Sequence, residues 1–359
     1  MSEESVTEVG LHDIGVLLAP KAPAGNGMRG FDPDYADIVD YIIRCTHRIW
    51  EEKAVGLIYT HYRHNAVVHT PMGTTVGRDA VVASTLQTLL AFPNRRLYGD
   101  AVIWSGDDVT GFYSSHRITN TGTNLGPTTW GDATGRRCVW RGIADCVVLE
   151  NRVVEEWLVR DDMHLCRQLG FDPVAVARAL AMADAARGVP PAVPAEPARL
   201  LGQHAPSHPA LPGDADDSAR VCWFLEEIWN GRMLNRVAEF YAPGAVCHAP
   251  GGRKLHGPNE IAGLVLQLLA ALPDAAFTVA HTAQVHEASR GTSVAVRWML
   301  GGTHDGPGMF GRPTGAPVSI MGISHFRMAG GRVAEEWTVF DELSVWKQIV
   351  LATGCGATP

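Results

Sequence analysis

At 359 residues, with 46% hydrophobic and 19% charged side chains, the chain suits two ordinary domains of a soluble globular protein. A formal charge of −8 and no Lys/Arg run interleaved with aromatics argue against a nucleic-acid or anionic-membrane partner. No apolar run nears the ~20 residues that span a bilayer. The first thirty residues show no basic then apolar leader, so no signal peptide and a cytoplasmic location are expected.

The elements fall in a repeating order. Residues 1–33 read as an irregular arm. Residues 34–172 form a first domain, opening on the apolar-periodic helix "DIVDYIIRCTHRIWEEK" and a short helix "AVGLIYTHYR". A short strand ends at His69, and "GRDAVVASTLQTLLAFP" is a helix stopped by Pro93. Four strand-like runs follow: "AVIWSG", "VTGFYSSHRIT", "RCVWRGIADCVVLE" and "NRVVEEWLVRD". Residues 173–217 read as a helix end and a Pro/Ala-rich linker. Residues 218–355 repeat the first domain's plan, with "ARVCWFLEEIWNGRM", "LNRVAEFYA", a strand ending at His248 and "GPNEIAGLVLQLLAALP".

The repetition is in the residues themselves. At an offset of 180, 16 of the 43 positions from Thr119 to Asp161 match without a gap. Roughly two to four would match by chance at ordinary composition. An offset of 179 upstream pairs Trp50 with Trp229, Tyr62 with Tyr241 and His69 with His248. This is a tandem duplication, and helices followed by strands make each copy an α+β domain.

Helices, a His-ending strand, then "GGTHDGPGMFGRPTGAPV" and "GGRVAEEWTVFDEL" together resemble the SnoaL-like polyketide cyclase family, of the nuclear transport factor two-like superfamily. The first copy departs from the pattern, with Asn124 in place of His304 and Ala133 in place of Pro313. The resemblance implies two tandem cone-shaped α+β barrels, each a curved antiparallel sheet wrapped around helices with a mostly apolar pocket. It also implies a small-molecule substrate and ring-closing aldol chemistry without metal or organic cofactor. Domains of this type pair through the outer sheet face, so an internal pseudo-dimer, or a homodimer of whole chains, is expected.

Strand periodicity puts Val153, Glu155, Trp157, Val159 and Asp161 on one face, and Val333, Glu335, Trp337, Val339 and Asp341 likewise. In the cyclases that the chain resembles, the Asp at this place is the general acid/base. Among apolar walls its pKa would rise towards a useful range. Asp161 and Asp341 are therefore the expected acid/base groups, aided by His69 and His248 as donors or relays. Trp157 and Trp337 are expected to wall the pocket.

Arg117 and Arg297 match across copies, and an inward Arg needs a carboxylate partner or an anionic substrate. Asp161 and Asp341 are natural partners, and such pairs would also suit epoxide opening by Asp-activated water. His304, His116, Asp145, His325, Tyr62 and Tyr241 complete the expected substrate-binding set. Of Glu155/Glu156 and Glu335/Glu336, at most one of each pair points inward, and a solvated or Arg-paired carboxylate is favoured. The two imidazoles of "HYRH", His61 and His64, read as a surface pair on one helix face.

Phosphate-loop, dinucleotide, nucleophile-elbow and zinc-protease motifs are absent. Seven cysteines without a C-x-x-C support neither a disulfide framework nor a zinc ribbon. The expected function is a cofactor-independent cyclase, isomerase or lyase acting on a small, partly apolar carbonyl compound. An epoxide-hydrolase-like enzyme and a non-catalytic binding or scaffold protein are the alternatives.

Overall fold

The computed structural model describes residues 8–21, 28–190, 210–288 and 290–354. In chain order the first copy contains α1 (Ile14–Leu18), α2 (Ile38–Trp50), α3 (Ile58–His61), β1 (Tyr62–Thr70), β2 (Gly73–Val76) and α4 (Arg78–Ala91). It continues through β3 (Arg96–Asp107), β4 (Gly111–Thr123), β5 (Arg137–Leu149), β6 (Arg152–Arg160) and α5 (Asp162–Leu169). The chain then runs through α6 (Pro173–Ala186), α7 (Asp217–Trp229), α8 (Val237–Phe240), β7 (Tyr241–His248), β8 (Lys254–His256) and α9 (Gly257–Ala271). It closes with β9 (Ala276–Glu287), β10 (Gly291–Thr303), β11 (Pro317–Ala329), β12 (Arg332–Phe340) and α10 (Glu342–Thr353).

Two compact units result, built on β1–β6 and β7–β12, with the main division at Arg160/Asp161. The sheet orders are identical, β2-β1-β6-β5-β4-β3 and β8-β7-β12-β11-β10-β9. This is the expected tandem α+β architecture with one correction. The sheets are mixed rather than antiparallel, because β1 runs parallel to β6 and β7 parallel to β12. The long connection from β1 to β6 through α4 and four strands permits that pairing; a hairpin could not.

Local chemistry explains the elements. Asp37 caps α2, its carboxylate accepting from Asp40 N at 2.7 Å, and Ile38, Ile42, Cys45 and Ile49 turn to the core. Helix α4 follows Gly77 and α9 begins on Gly257, both glycines at positive φ, and the helices end two residues before Pro93 and Pro273. The turn from β5 to β6 holds Glu150 and Asn151 at φ 49° and 65°, and Gly330 and Gly331 do the same in the second unit. Such positive-φ pairs match the twist of a two-residue hairpin.

Two segments hold more structure than expected. In the arm, Val9–Leu11 is a 3₁₀ turn and α1 follows it. Helix α6 occupies the start of the supposed linker and belongs to the second unit, where Lys347 Nζ of α10 donates to Asp184 Oδ2 at 2.7 Å. The central linker, residues 191–209, and Cys355 lie outside the described residues.

A β-bulge decides which side chains face the helices. Val147 of β5 pairs with Glu155 but Val148 pairs with Val153, leaving Val154 as an extra residue. In the second unit Arg327 pairs with Glu335 and Met328 with Val333, so Ala334 is the extra residue. An extra residue reverses the alternation downstream. Val153, Glu156, Leu158 and Arg160 therefore share the inner face, as do Val333, Glu336, Thr338 and Phe340. Glu155/Trp157 and Glu335/Trp337 turn to the outer face.

Candidate active site

The second unit encloses a cavity of ≈ 40 Å³ between its helices and the inner sheet face. Its wall is apolar, including Phe224, Trp229, Leu268, Phe277 and Phe340, except for a line of polar groups. Trp298 Nε1 donates to Ser324 Oγ at 2.9 Å, and Ser324 Oγ lies 2.7 Å from Thr338 Oγ1. Thr338 donates to Glu336 Oε1, and Tyr241 Oη donates to Glu336 Oε2 at 2.5 Å. Each hydroxyl has one hydrogen. Because Thr338 spends its hydrogen on the carboxylate, it must accept from Ser324, and Ser324 in turn accepts from the indole. Four groups thus direct donors towards one carboxylate.

Glu336 is buried, and burial raises its pKa against the opposing effect of bonds from Thr338, Tyr241 and Cys247. Burial is also the main cause that pushes the Tyr241 phenol well above its usual range, keeping it a donor.

The first unit keeps the central pair. Tyr62 Oη donates to Glu156 Oε2 at 2.8 Å, and burial raises the pKa of Glu156. It lacks the rest of the line, with Ile118, Ala144 and Leu158 where the second copy has Trp298, Ser324 and Thr338. Of the two expected tyrosines, Tyr241 lines the cavity and bonds Glu336, and Tyr62 makes the corresponding bond to Glu156. Glu156 and Glu336 were set aside as solvated or Arg-paired, and the bulge corrects that. Their signal was the duplicated Glu-Glu doublet just after a hairpin turn.

The aspartates are corrected too, since neither sits on the cavity wall. Asp341 is the N-cap of α10, its carboxylate accepting from Leu343 N at 3.0 Å and Ser344 N at 3.2 Å. Asp161 accepts from Gly251 N at 2.7 Å and His164 N at 3.2 Å within the second unit, and burial raises its pKa. Asp341→Ala should cost ~0.5–2 kcal/mol of stability through the lost cap. Thermal unfolding checks this, and an unchanged melting temperature would show that the cap is dispensable.

His69 and His248 stand on the outer face. His69 Nε2 lies 2.8 Å from Glu155 Oε1, and its ring stacks on Trp157 at 5.3 Å. His248 repeats this with Glu335 at 3.1 Å and Trp337 at 5.4 Å, and Arg327 adds a bond to Glu335 at 3.2 Å. The structure thus joins His, Glu and Trp in both copies, but away from the inner carboxylates, because His69 and His248 alternate with the inward Val68 and Cys247.

Arg117 pairs with Glu8 at 3.3 Å and lies 4.0 Å from Asp100, not beside Asp161. Arg297 acts on His281, whose pKa falls to about 4 through burial first and the Arg297 charge second. Asp145 accepts from Tyr113 Oη on the outer face, and His325, paired in register with Trp337, shares that face in the second unit. His304 is buried in the loop after β10, with Nδ1 3.0 Å from Thr314 Oγ1. Asn124 fills its place by bonding Thr134, so both serve the loop.

His116 is the one expected imidazole on the inner face. Its pKa falls to about 4, chiefly through burial and then through the Arg117 charge. The supposed surface pair is also corrected. Helix α3 ends at His61, which is buried and 2.9 Å from Tyr35 Oη, whereas His64 is exposed on β1.

Two tandem α+β units, each with a Tyr–Glu pair between sheet and helices, buried in the second and part-buried in the first, define the class of protein. The family model for the SnoaL-like polyketide cyclases matches residues 41–169 and 219–349. The chain belongs to the SnoaL-like polyketide cyclase family, with one member domain in each unit. No curated protein matches it.

Among solved structures, it is similar to a candidate SnoaL-like polyketide cyclase from Jannaschia sp. CCS1, at 22% identity and TM-score 0.34 over 40% of this chain and 93% of the other. It is also similar to IdmH, a candidate polyketide cyclase from Streptomyces antibioticus, at 27% identity and TM-score 0.33 over 38% and 99%.

Proposed function

We propose that the chain is a cofactor-independent acid/base enzyme of cyclase, isomerase or lyase type, acting on a small, partly apolar carbonyl compound. The observation that carries this is the duplicated Tyr–Glu pair on the inner sheet faces, with both glutamates buried. A carboxylate whose charged form is disfavoured by burial is a stronger base than one in water. It takes the proton alpha to a carbonyl, and the C–H electron pair moves into the enolate. The enolate carbon then forms a bond to a second carbonyl carbon, or is reprotonated elsewhere. The new alkoxide, or the carbon, recovers the proton from the same carboxyl, so nothing is consumed. Once the glutamate has taken up the proton, the neighbouring phenol, itself still protonated, can turn its hydrogen from the carboxyl to the developing negative charge.

A cavity of ≈ 40 Å³ holds on the order of three waters, which supports a small reacting fragment. The geometry favours this over epoxide opening by an Asp–Arg pair, since Arg117 is engaged by Glu8. Acetone in D2O provides the test. Wild-type protein should accelerate exchange of its methyl protons, followed by NMR. Exchange no faster than in buffer, for acetone and 2-butanone alike, would move the function to ligand binding without turnover.

A further inference from the structure

The first unit carries groups that the Tyr–Glu pair does not use. Arg95, Asn120, Trp140 and Arg160 stand where the second copy has Ala275, Leu300, Ile320 and Phe340. At three of these positions an Arg or Asn stands against an apolar residue of the second copy, and at the fourth Trp140 stands against Ile320. The Arg95 guanidinium carbon lies 4.1 Å from the centre of Trp50 and 5.7 Å from that of Trp140. Its Nε and Nη2 donate to Asn120 Oδ1 at 3.0 and 2.6 Å.

Neighbouring strands assemble the set. Asn120 is the register partner of Trp140, and Gly142, two residues on, is the partner of Arg160. A Cβ built on Gly142 would lie 3.4 Å from Arg160 Cγ, so the Arg160 stem crosses the bare glycine on the face that holds Trp140.

Arg95 bonds to a neutral amide, and the acid that acts on it electrostatically is Glu51. The Glu51 oxygens already accept from Arg96 Nη1 at 2.8 Å and Leu97 N at 2.7 Å. The Arg95 pKa is pulled down to about 9, by burial first and then by the Arg160 charge. A desolvated guanidinium beside a second one is costly unless an anion joins it. The second copy shows that the fold accepts an apolar wall at these positions.

We infer that this corner of the first unit binds a small organic carboxylate, held by the planar donors of Arg95 with the Arg160 charge beside it. Guanidinium and carboxylate match in geometry, and flanking indoles hold the guanidinium plane in place. The inference rests on the reading of the inner face as a substrate site and deepens it, giving the substrate an acid group as well as a carbonyl.

Calorimetric titration of the full chain with sodium benzoate, at ionic strength fixed with NaCl, tests it. Wild type should bind one benzoate, and benzamide, the uncharged isostere, at least about tenfold more weakly. Arg95→Leu should weaken benzoate about tenfold or more, and Arg95→Lys should recover only part of that loss.

Absent benzoate binding, equal binding of benzamide, or an undiminished Arg95→Leu would each overturn the inference, and the benzamide arm needs no variant to fold. Lost exchange chemistry with benzoate binding intact sinks only the acid/base reading. The reverse sinks only the carboxylate site.

Discussion

A chain carrying Glu156→Gln and Glu336→Gln together is expected to exchange acetone protons ~10²–10⁴-fold more slowly than wild type. Glutamine keeps the shape of the side chain and an oxygen that accepts from Tyr62 or Tyr241. It cannot take up the substrate proton. The single variants assign the activity between units, which differ in their support: Glu336 has the Trp298–Ser324–Thr338 line behind it, whereas Glu156 has Tyr62. Asp161→Asn and Asp341→Asn are expected to exchange at near wild-type rates, because those carboxylates serve backbone N–H groups. Full activity in the double Glu variant would return the chemistry to the aspartates.

The same carboxyls give a pH signature with opposite signs for rate and stability. The base works when deprotonated, so exchange rises as pH climbs through the raised Glu pKa. For stability, a pKa higher in the folded than in the unfolded state means that the folded chain binds the proton more tightly. The contribution is full below the unfolded value, ordinarily 4.5, and is lost as pH rises through the folded one. The Gln variants should therefore gain melting temperature relative to wild type as pH increases from 4.5.

Trp298→Ala is expected to destabilise the second unit by ~3–5 kcal/mol. The indole stands 5.5 Å from Phe277, 6.5 Å from Trp229 and 6.0 Å from Phe340, and it begins the donor line to Glu336. Gly322, its register partner, exists to make room, since a Cβ there would fall 2.1 Å from the ring. Gly322→Ala should cost ~1–3 kcal/mol, and less in the presence of Trp298→Ala, because the clash disappears with the ring. Gly142→Ala is the comparison. Its Cβ would meet Val159 O at 3.3 Å and Arg160 Cγ at 3.4 Å, so the effect should be smaller. Denaturant unfolding of the two singles and the double completes the cycle, and simple additivity would show that Gly322 serves something other than the indole.

Much of this fold can be read from residues alone. Offsets of 179 and 180 reveal the duplication, Pro93 and Pro273 end their helices, and long apolar runs mark the strands. The phase of the last strand cannot be read. "RVVEEW" and "RVAEEW" offer apolar residues at adjacent positions, so both faces look plausible until partner strands reveal the extra residue. One bulge therefore exchanges Glu155 for Glu156 and moves Trp157 outward.

The structural role of the aspartates is legible in the sequence. "DDMH" and "DELS" each place an Asp before a second acid in a first helical turn, a capping pattern. Arg95 was invisible because "PNRRL" reads as a solvated loop. Its burial depends on Trp50 and Asn120, which are distant in sequence.

The most direct measurement is a carbon-13 NMR titration of the glutamate carboxyls, with Glu336→Gln and Glu156→Gln assigning the two resonances. Burial on the inner sheet faces predicts that both titrate above 4.5 and that neither signal survives in its own variant. Titration at or below 4.5 would mean that water or the bonded donors outweigh burial, contradicting the role of these carboxyls as strengthened bases.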